Sequence, residues 1–140
     1  LKDEHGLCCA VVDYLQLLIP PLKAGISVRD EVTAISCGLK RIASDLKIAM
    51  IALSQLSRAP ETRTDKRPHL SDLRESGAIE QDADLAILLF RPEMHKRTEE
   101  NAGVAEVIIA KHRAGPVGCR RLYFDAQLAQ FRALAHGGFA

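Results

Sequence analysis

Three short runs of apolar residues, each followed by polar side chains, constrain the fold of this 140-residue chain more than any other feature. They occupy residues 7–12, 48–53 and 85–90. Short unbroken apolar runs are typical of strands that are covered on both faces, as in parallel sheets. The pattern therefore predicts three strands of a mostly parallel sheet.

A long amphipathic helix is predicted between the first two runs. Apolar residues recur three or four positions apart from Val28 to Leu46, which places them on one helix face. Ser27, followed three positions later by Asp30, provides an N-cap. A strand, a helix and a strand in this order predict a βαβ crossover and an α/β fold.

The last third of the chain has the pattern of an antiparallel hairpin. Residues 104–113 and 119–125 are strand-like, and the turn-forming segment 114–118 separates them. Residues 130–134 are expected to add a short strand. Residues 58–68 are rich in arginine, lysine, threonine and proline and have almost no apolar anchor, which predicts a mobile loop.

Composition excludes several classes of protein. The 19 basic and 18 acidic residues nearly cancel, so nucleic acid can be bound only by local patches. No apolar stretch is long enough for a bilayer and no secretory signal pattern is present, so we expect a cytoplasmic protein without a membrane partner. The four cysteines lack zinc-ligand spacing and are predicted to be buried free thiols.

Two polar residues follow the first two predicted strands. Asp13 ends the first apolar run, and Gln55 comes shortly after the second. The carboxyl ends of neighbouring parallel strands share one edge of a sheet, where ligands bind in α/β folds. An acid there can hold a metal or a substrate, or it can merely start a turn or cap a helix. An amide there can contact a phosphate or orient a water, although by itself it is more typical of an ordinary loop. Tyr14 and Gln16 are expected to make local contacts.

Two cations lie beside the predicted hairpin tip. Lys111 and Arg113 are two positions apart, so on a strand they share a face. A cation at such a tip can stabilise charge on a transferring phosphoryl group, or it can simply be solvated.

Residues 72–84 form an unusual acidic block. Ser71 could cap a short helix that Gly77 ends, or Gly77 could allow a phosphate backbone to approach closely. The acids at positions 75, 80, 82 and 84 argue against a simple electrostatic groove, so contacts to nucleic acid here should be few and directional.

Four segments together resemble the replicative DNA helicases of the DnaB type. They read VVDYLQL at 11–17, ALSQLSR at 52–58, DLRESGAIEQDAD at 72–84 and KHRAGP at 111–116. They come in the order found in the family and at plausible spacings, and they span nearly the whole chain. The block at 72–84 is the most specific, and it favours a helicase over recombinase-like or clock-type relatives with a RecA fold.

The resemblance implies an α/β fold: a partial RecA-like, mostly parallel sheet with flanking helices and a C-terminal antiparallel hairpin. Residues 1–140 would form the C-terminal portion of the ATPase domain. Asp13 would hold the Mg²⁺ of bound ATP through water, and Gln55 would sense the γ-phosphate. Lys111 and Arg113 would reach the phosphates held by the next protomer.

The resemblance also implies partners. Arg74, Glu75 and Gly77 would lie near single-stranded DNA in the channel of a homo-hexameric ring. The parent enzyme would be an ATP-dependent 5′-to-3′ helicase that unwinds duplex at the replication fork, with a primase and a helicase loader as further partners.

One expected motif is missing from these residues. A P-loop ends in Gly-Lys followed by Ser or Thr, and no Gly-Lys pair occurs in this sequence. The favoured interpretation is a partial sequence that lacks the Walker A half of the ATPase domain, so the chain alone is expected to be inactive. The alternative is a short relative without ATP turnover that acts only in ring assembly or DNA binding.

Overall fold

The computed structural model describes residues 2–20, 27–73 and 77–134, apart from the side chain of Asp3. The chain divides into two compact units. The first comprises Leu1–Ser57 and Ser71–Ala83, and the second comprises Arg58–Leu70 and Asp84–Ala140.

A parallel strand pair forms the sheet of the first unit. After a short helix, α1 (Lys2–His5), come strand β1 (Cys9–Val12) and, beyond helix α2 (Val28–Leu46), strand β2 (Ala49–Ala52). The two strands pair in parallel, with Cys9 opposite Ala49 and Val12 opposite Ala52. The predicted βαβ crossover is confirmed.

Helix α2 begins where its capping residues predict. The Ser27 hydroxyl oxygen accepts a hydrogen bond from the backbone N–H of Asp30 at 3.2 Å, which satisfies one free donor of the first turn. The helix ends at Leu46 and is followed by its C-cap, Lys47, which has a left-handed φ of 49°. No helix in the described residues combines the length and the apolarity that crossing a membrane requires.

An antiparallel sheet forms the second unit. Its four strands lie in the order β3 (Leu85–Phe90), β4 (Val104–His112), β5 (Gly118–Asp125) and β6 (Gln130–Ala133). The predicted hairpin and the extra short strand are therefore confirmed, within an α/β fold.

The third apolar run does not join the parallel pair as its pattern predicts. In the described residues β3 pairs antiparallel with β4. Leu88 is buried, whereas its neighbours Ile87 and Leu89 are about half exposed. Because every position of β3 carries an apolar side chain, its sequence lacks the alternation of apolar and polar residues that is typical of a strand covered on one face.

The segment predicted to be a mobile loop contains a short helix and a polar anchor. Helix α3 covers Ala59–Thr62. Farther on, Arg67 Nε donates to Glu106 Oε2 at 2.9 Å, and Glu106, on β4, is only 2% exposed. Arg121 Nε lies 3.5 Å from the other carboxylate oxygen. A buried carboxylate needs such partners, and this one raises the pKa of Arg67 mainly through the hydrogen bond.

The cysteines differ from their prediction. Cys8, Cys37 and Cys119 are exposed and Cys9 is partly buried, although all four are free thiols. Cys37 lies on α2 with its Sγ 3.5 Å from Asp82 Oδ2. That hydrogen bond to a carboxylate, together with its negative charge, raises the pKa of the Cys37 thiol.

We expect Gly103→Ala to destabilise the second unit by about 1–3 kcal/mol. Gly103 has a φ of +68°, and an added Cβ would overlap the ring of Tyr123. Urea unfolding monitored by circular dichroism measures the change. The matched control is Gly38→Ala in α2, where an added Cβ meets nothing and removal of glycine from a helix should stabilise the protein. Equal stabilities for the two variants would contradict the prediction.

We expect Glu93→Gln to reduce stability at neutral pH but not in acid. Glu93 Oε2 accepts from the backbone N–H of Gly103 at 2.9 Å, and Oε1 pairs with Arg91 at 2.5 Å. These contacts lower the pKa of Glu93, so its stabilising contribution is present above the ordinary carboxyl pKa. The contribution is lost as the pH falls through the lowered value. Unfolding free energies across this pH range test the effect, and Glu99→Gln, at an exposed acid, should lack it.

Candidate functional site

Asp13 and Gln55 emerge at the same edge of the parallel sheet. Strand β1 ends at Val12 directly opposite the end of β2, so Asp13 and the segment 53–55 continue from adjacent positions. Beyond the strands, Leu53 N–H donates to Val12 C=O and Leu15 N–H donates to Leu53 C=O, both at 2.9 Å. The side chains of Asp13 and Gln55 are exposed. The structure thus gives both residues the shared edge that the strand order predicts, while their chemical roles stay predictions.

A glutamine side chain connects the two segments at this edge. Gln16 lies in a 3₁₀ turn, Leu15–Leu18, which follows Asp13. Its Nε2 donates to Ser54 Oγ at 3.2 Å, and its Oε1 accepts from the backbone N–H of Gln55 at 3.3 Å. The local contacts expected of Gln16 are therefore accompanied by two bonds to the segment after β2. Their partners are 38 and 39 positions away, so no local sequence signal indicates them.

The chemistry of this edge suits a magnesium ion that arrives with a nucleotide. Within the described residues, no group of three or more His, Cys, Asp or Glu side chains could hold a metal ion. Magnesium is commonly held by one or two carboxylates together with substrate phosphates and water. An exposed carboxylate at a strand end, such as Asp13, fits that role and does not form an all-protein metal site.

Lys111 and Arg113 lie beside the hairpin turn, as predicted, but only Lys111 is in a strand. Strand β4 ends at His112, so the alternation that predicts a common face stops before Arg113. Arg113 Nη1 lies 3.0 Å from Asp84 Oδ1, and the Arg113 N–H donates to the Asp84 carbonyl at 2.8 Å. The Arg113 side chain remains 56% exposed.

His112, which the sequence motif gives no role, shapes the turn. Its Nδ1 lies 3.3 Å from the carbonyl oxygen of Pro116. Its ring covers Gly115 so closely that a Cβ at that position would overlap it. The imidazole and the glycine together define the turn beside the two cations.

The acidic block at 72–84 has a different local structure from the one its sequence predicts. Arg74 and Glu75 lie outside the described residues. Gly77 begins helix α4 (Gly77–Asp82) and does not end a helix, and Ser71 lies inside a 3₁₀ turn, Leu70–Asp72. Helix α4 packs against α2, where Ser36 Oγ donates to Asp82 Oδ2 at 2.7 Å.

The beginning of the block is fixed by its backbone. Asp72 is buried, and its carbonyl oxygen accepts from the N–H of Ser57 at 3.0 Å. Sequence patterns give Asp72 no role because a buried aspartate cannot be told from an exposed one by composition alone. The bond ties the block to the segment that follows Gln55.

The two units divide the candidate residues. Asp13, Gln16 and Gln55 belong to the first unit, whereas Lys111 and Arg113 belong to the second. Each group is brought together within its own unit.

Comparisons with known proteins give one consistent family. The model described as DnaB-like helicase C terminal domain matches residues 1–133. The replicative DNA helicase DnaB of Geobacillus stearothermophilus is 47% identical over 131 residues, which cover 94% of this chain and 29% of that helicase. This chain thus spans less than a third of that relative's length.

Solved structures show the same similarity in three dimensions. An ATPase-domain structure superposes with a TM-score of 0.85 at 48% identity, covering 92% of this chain and 45% of that chain. A second structure, of a DnaB-like replicative helicase and its interactions with primase, has the same TM-score and identity. The match covers 92% of this chain and 31% of that chain.

Proposed function

Because this chain belongs to the family of DnaB-like helicase C-terminal domains, we propose that it acts within an ATP-dependent, hexameric replicative DNA helicase. Such an enzyme translocates 5′ to 3′ on single-stranded DNA and unwinds duplex at the replication fork. The observation that carries this proposal is the shared edge of β1 and β2, where Asp13 and Gln55 emerge together. The carboxyl edge of a parallel sheet is where α/β folds bind their ligands.

The cofactors proposed for this edge are ATP and Mg²⁺. The Asp13 carboxylate would hold the ion through water, and the ion would neutralise charge on the phosphates. Gln55 carries a neutral amide that can donate to a γ-phosphate oxygen without adding charge. The backbone N–H of Gln55 donates to the Gln16 side chain, which anchors this segment, so the Gln55 side chain is not needed to anchor it.

Lys111 and Arg113 are proposed to act on the nucleotide of the neighbouring subunit. Arg113 is paired with Asp84, but both side chains are more than half exposed. An exposed ion pair is worth only about 0–1 kcal/mol, so Arg113 can exchange this carboxylate for a phosphate at little cost. A guanidinium delivered to a transferring phosphoryl group is typical of an arginine finger.

Arg74, Glu75 and Gly77 are proposed to lie along single-stranded DNA. Support comes from Asp82 of the same block, whose carboxylate accepts a hydrogen bond from Ser36 on α2. This acid is therefore engaged by the protein. A few directional contacts, with Arg74 on a phosphate, then suffice for binding that is independent of base sequence.

The assembly proposed is a homo-hexameric ring on single-stranded DNA, located in the cytoplasm. A primase is a proposed partner, since a similar helicase structure is described with its interactions with primase. A helicase loader is a further proposed partner.

We expect Arg113→Ala to lower ATP hydrolysis by about 10³-fold or more while nucleotide binding stays largely intact. The test uses a hexameric helicase that carries this segment. Asp13→Asn should also be inactive, because it loses the magnesium ligand. In mixed rings, roughly a quarter of the interfaces combine an intact Asp13 with an intact Arg113 across the boundary, so part of the activity should return.

Arg120→Ala, which removes another exposed arginine from the same hairpin, is the matched control and should keep parental turnover. The shared-site mechanism is wrong if exchanged subunits stay as inactive as each mutant and Arg113→Ala has also lost nucleotide affinity.

We expect Arg74→Ala in the same helicase to weaken single-stranded DNA binding about equally for all base sequences. The slope of log affinity against log salt should fall by about 0.7, the value for one phosphate contact on a single strand. Fluorescence anisotropy with several oligonucleotides measures both effects. Arg41→Ala, at a side chain on α2 that is 85% exposed, serves as the control. A loss confined to one sequence would show instead that Arg74 contacts bases.

A further inference from the structure

The side chain of Gln16 joins the segments that carry Asp13 and Gln55, and we propose that Gln16 is a positioning residue of the nucleotide site. It holds the backbone of Gln55 in place relative to the end of β1, so that the Gln55 amide points at the γ-phosphate. This inference rests on the proposed function of Asp13 and Gln55.

An amide is the group this position requires. Gln16 donates from Nε2 to Ser54 Oγ at 3.2 Å and accepts at Oε1 from the Gln55 N–H at 3.3 Å. One side chain thus uses a donor and an acceptor at once, which an apolar side chain of similar length cannot do. The bonds link two segments of the chain that are 38 and 39 positions apart.

The turn that carries Gln16 is anchored to the end of β2. Leu15, its neighbour in the 3₁₀ turn, is only 2% exposed and donates its backbone N–H to the Leu53 carbonyl at 2.9 Å. The turn is thereby attached to the end of β2 immediately before Ser54. Gln16 extends this attachment by two residues, as far as the Gln55 backbone.

Fixing the backbone matters because the distal amide of Gln55 must reach a phosphate oxygen. A displacement of about 1 Å at a reacting group can lower turnover about 100-fold. Gln16 directs its Nε2 at Ser54 and its Oε1 at the Gln55 backbone, so the role that we assign to it is exerted through Gln55.

The test uses a hexameric helicase that carries this segment and compares Gln16→Met with Ser54→Ala. Methionine keeps the length of the side chain and removes both hydrogen bonds of Gln16. Ser54→Ala removes one of them, together with the bond from Ser54 Oγ to the Gln55 carbonyl at 3.4 Å. We expect single-turnover ATP hydrolysis to fall by about 10–100-fold in Gln16→Met and by less in Ser54→Ala. The Kd for ATP should stay within about twofold in both, since neither residue binds the nucleotide.

The decisive measurement repeats both substitutions in a Gln55→Ala background. If Gln16 acts through Gln55, neither substitution lowers the residual turnover further. A role in stability alone would give the same fractional loss with and without Gln55, together with a lower Tm. Gln127→Met, at an exposed glutamine in the turn before β6, is the matched control and should have no effect.

The outcomes separate the two proposals. Full turnover in Gln16→Met, or losses that multiply with Gln55→Ala, would overturn the positioning role. If Gln16→Met does not fold, Gln16→Glu, which keeps the acceptor for the Gln55 N–H and loses the donor to Ser54, carries the same test. If instead Asp13→Asn and Gln55→Ala both hydrolyse ATP at the parental rate, the proposed function itself is wrong.

Discussion

The parallel pairing of β1 with β2 determines where the candidate nucleotide-binding side chains lie. Val12 stands opposite Ala52, so the chain leaves both strands at one level and in one direction. A slip of one residue would move every side chain of a strand to the opposite face. The backbone bonds from Leu53 to Val12 and from Leu15 to Leu53 continue the register past the strands. Asp13 and Gln55 depend on this pairing, which their own side chains do little to stabilise.

The elements that the sequence predicts well are those with local causes. Helix α2 has an apolar stripe, and Ser27 caps its first turn, so both its existence and its start follow from neighbouring residues. The hairpin of β4 and β5 follows from two strand-like runs and a short turn. The sequence also predicts that Asp13 and Gln55 lie at one edge of the sheet, because the carboxyl end of a parallel strand is a defined position in the fold.

The elements that the sequence does not predict depend on distant partners. Strand β3 has the composition of a doubly covered strand, yet its pairing with β4 decides which of its side chains are buried. Gly77 is equally suited to end a helix or to begin one, and the docking of α4 on α2 through Asp82 selects the second. Gln16 lies inside a recognisable motif, but its bonds to the segment after β2 exist only once the strands have paired.

The buried carboxylate of Glu106 has a consequence for the order of folding. Its main partner, Arg67, is 39 residues away, so closing that loop costs conformational entropy before this ion pair can form. Until the Arg67 guanidinium arrives, the carboxylate has only the longer contact to Arg121 on β5, at 3.5 Å, and must keep part of its hydration shell. The hairpin of β4 and β5, whose contacts are close in sequence, can form before Arg67 reaches Glu106. We therefore expect the strands to assemble around a hydrated Glu106, and water to leave it only when the segment bearing Arg67 docks as one of the last steps.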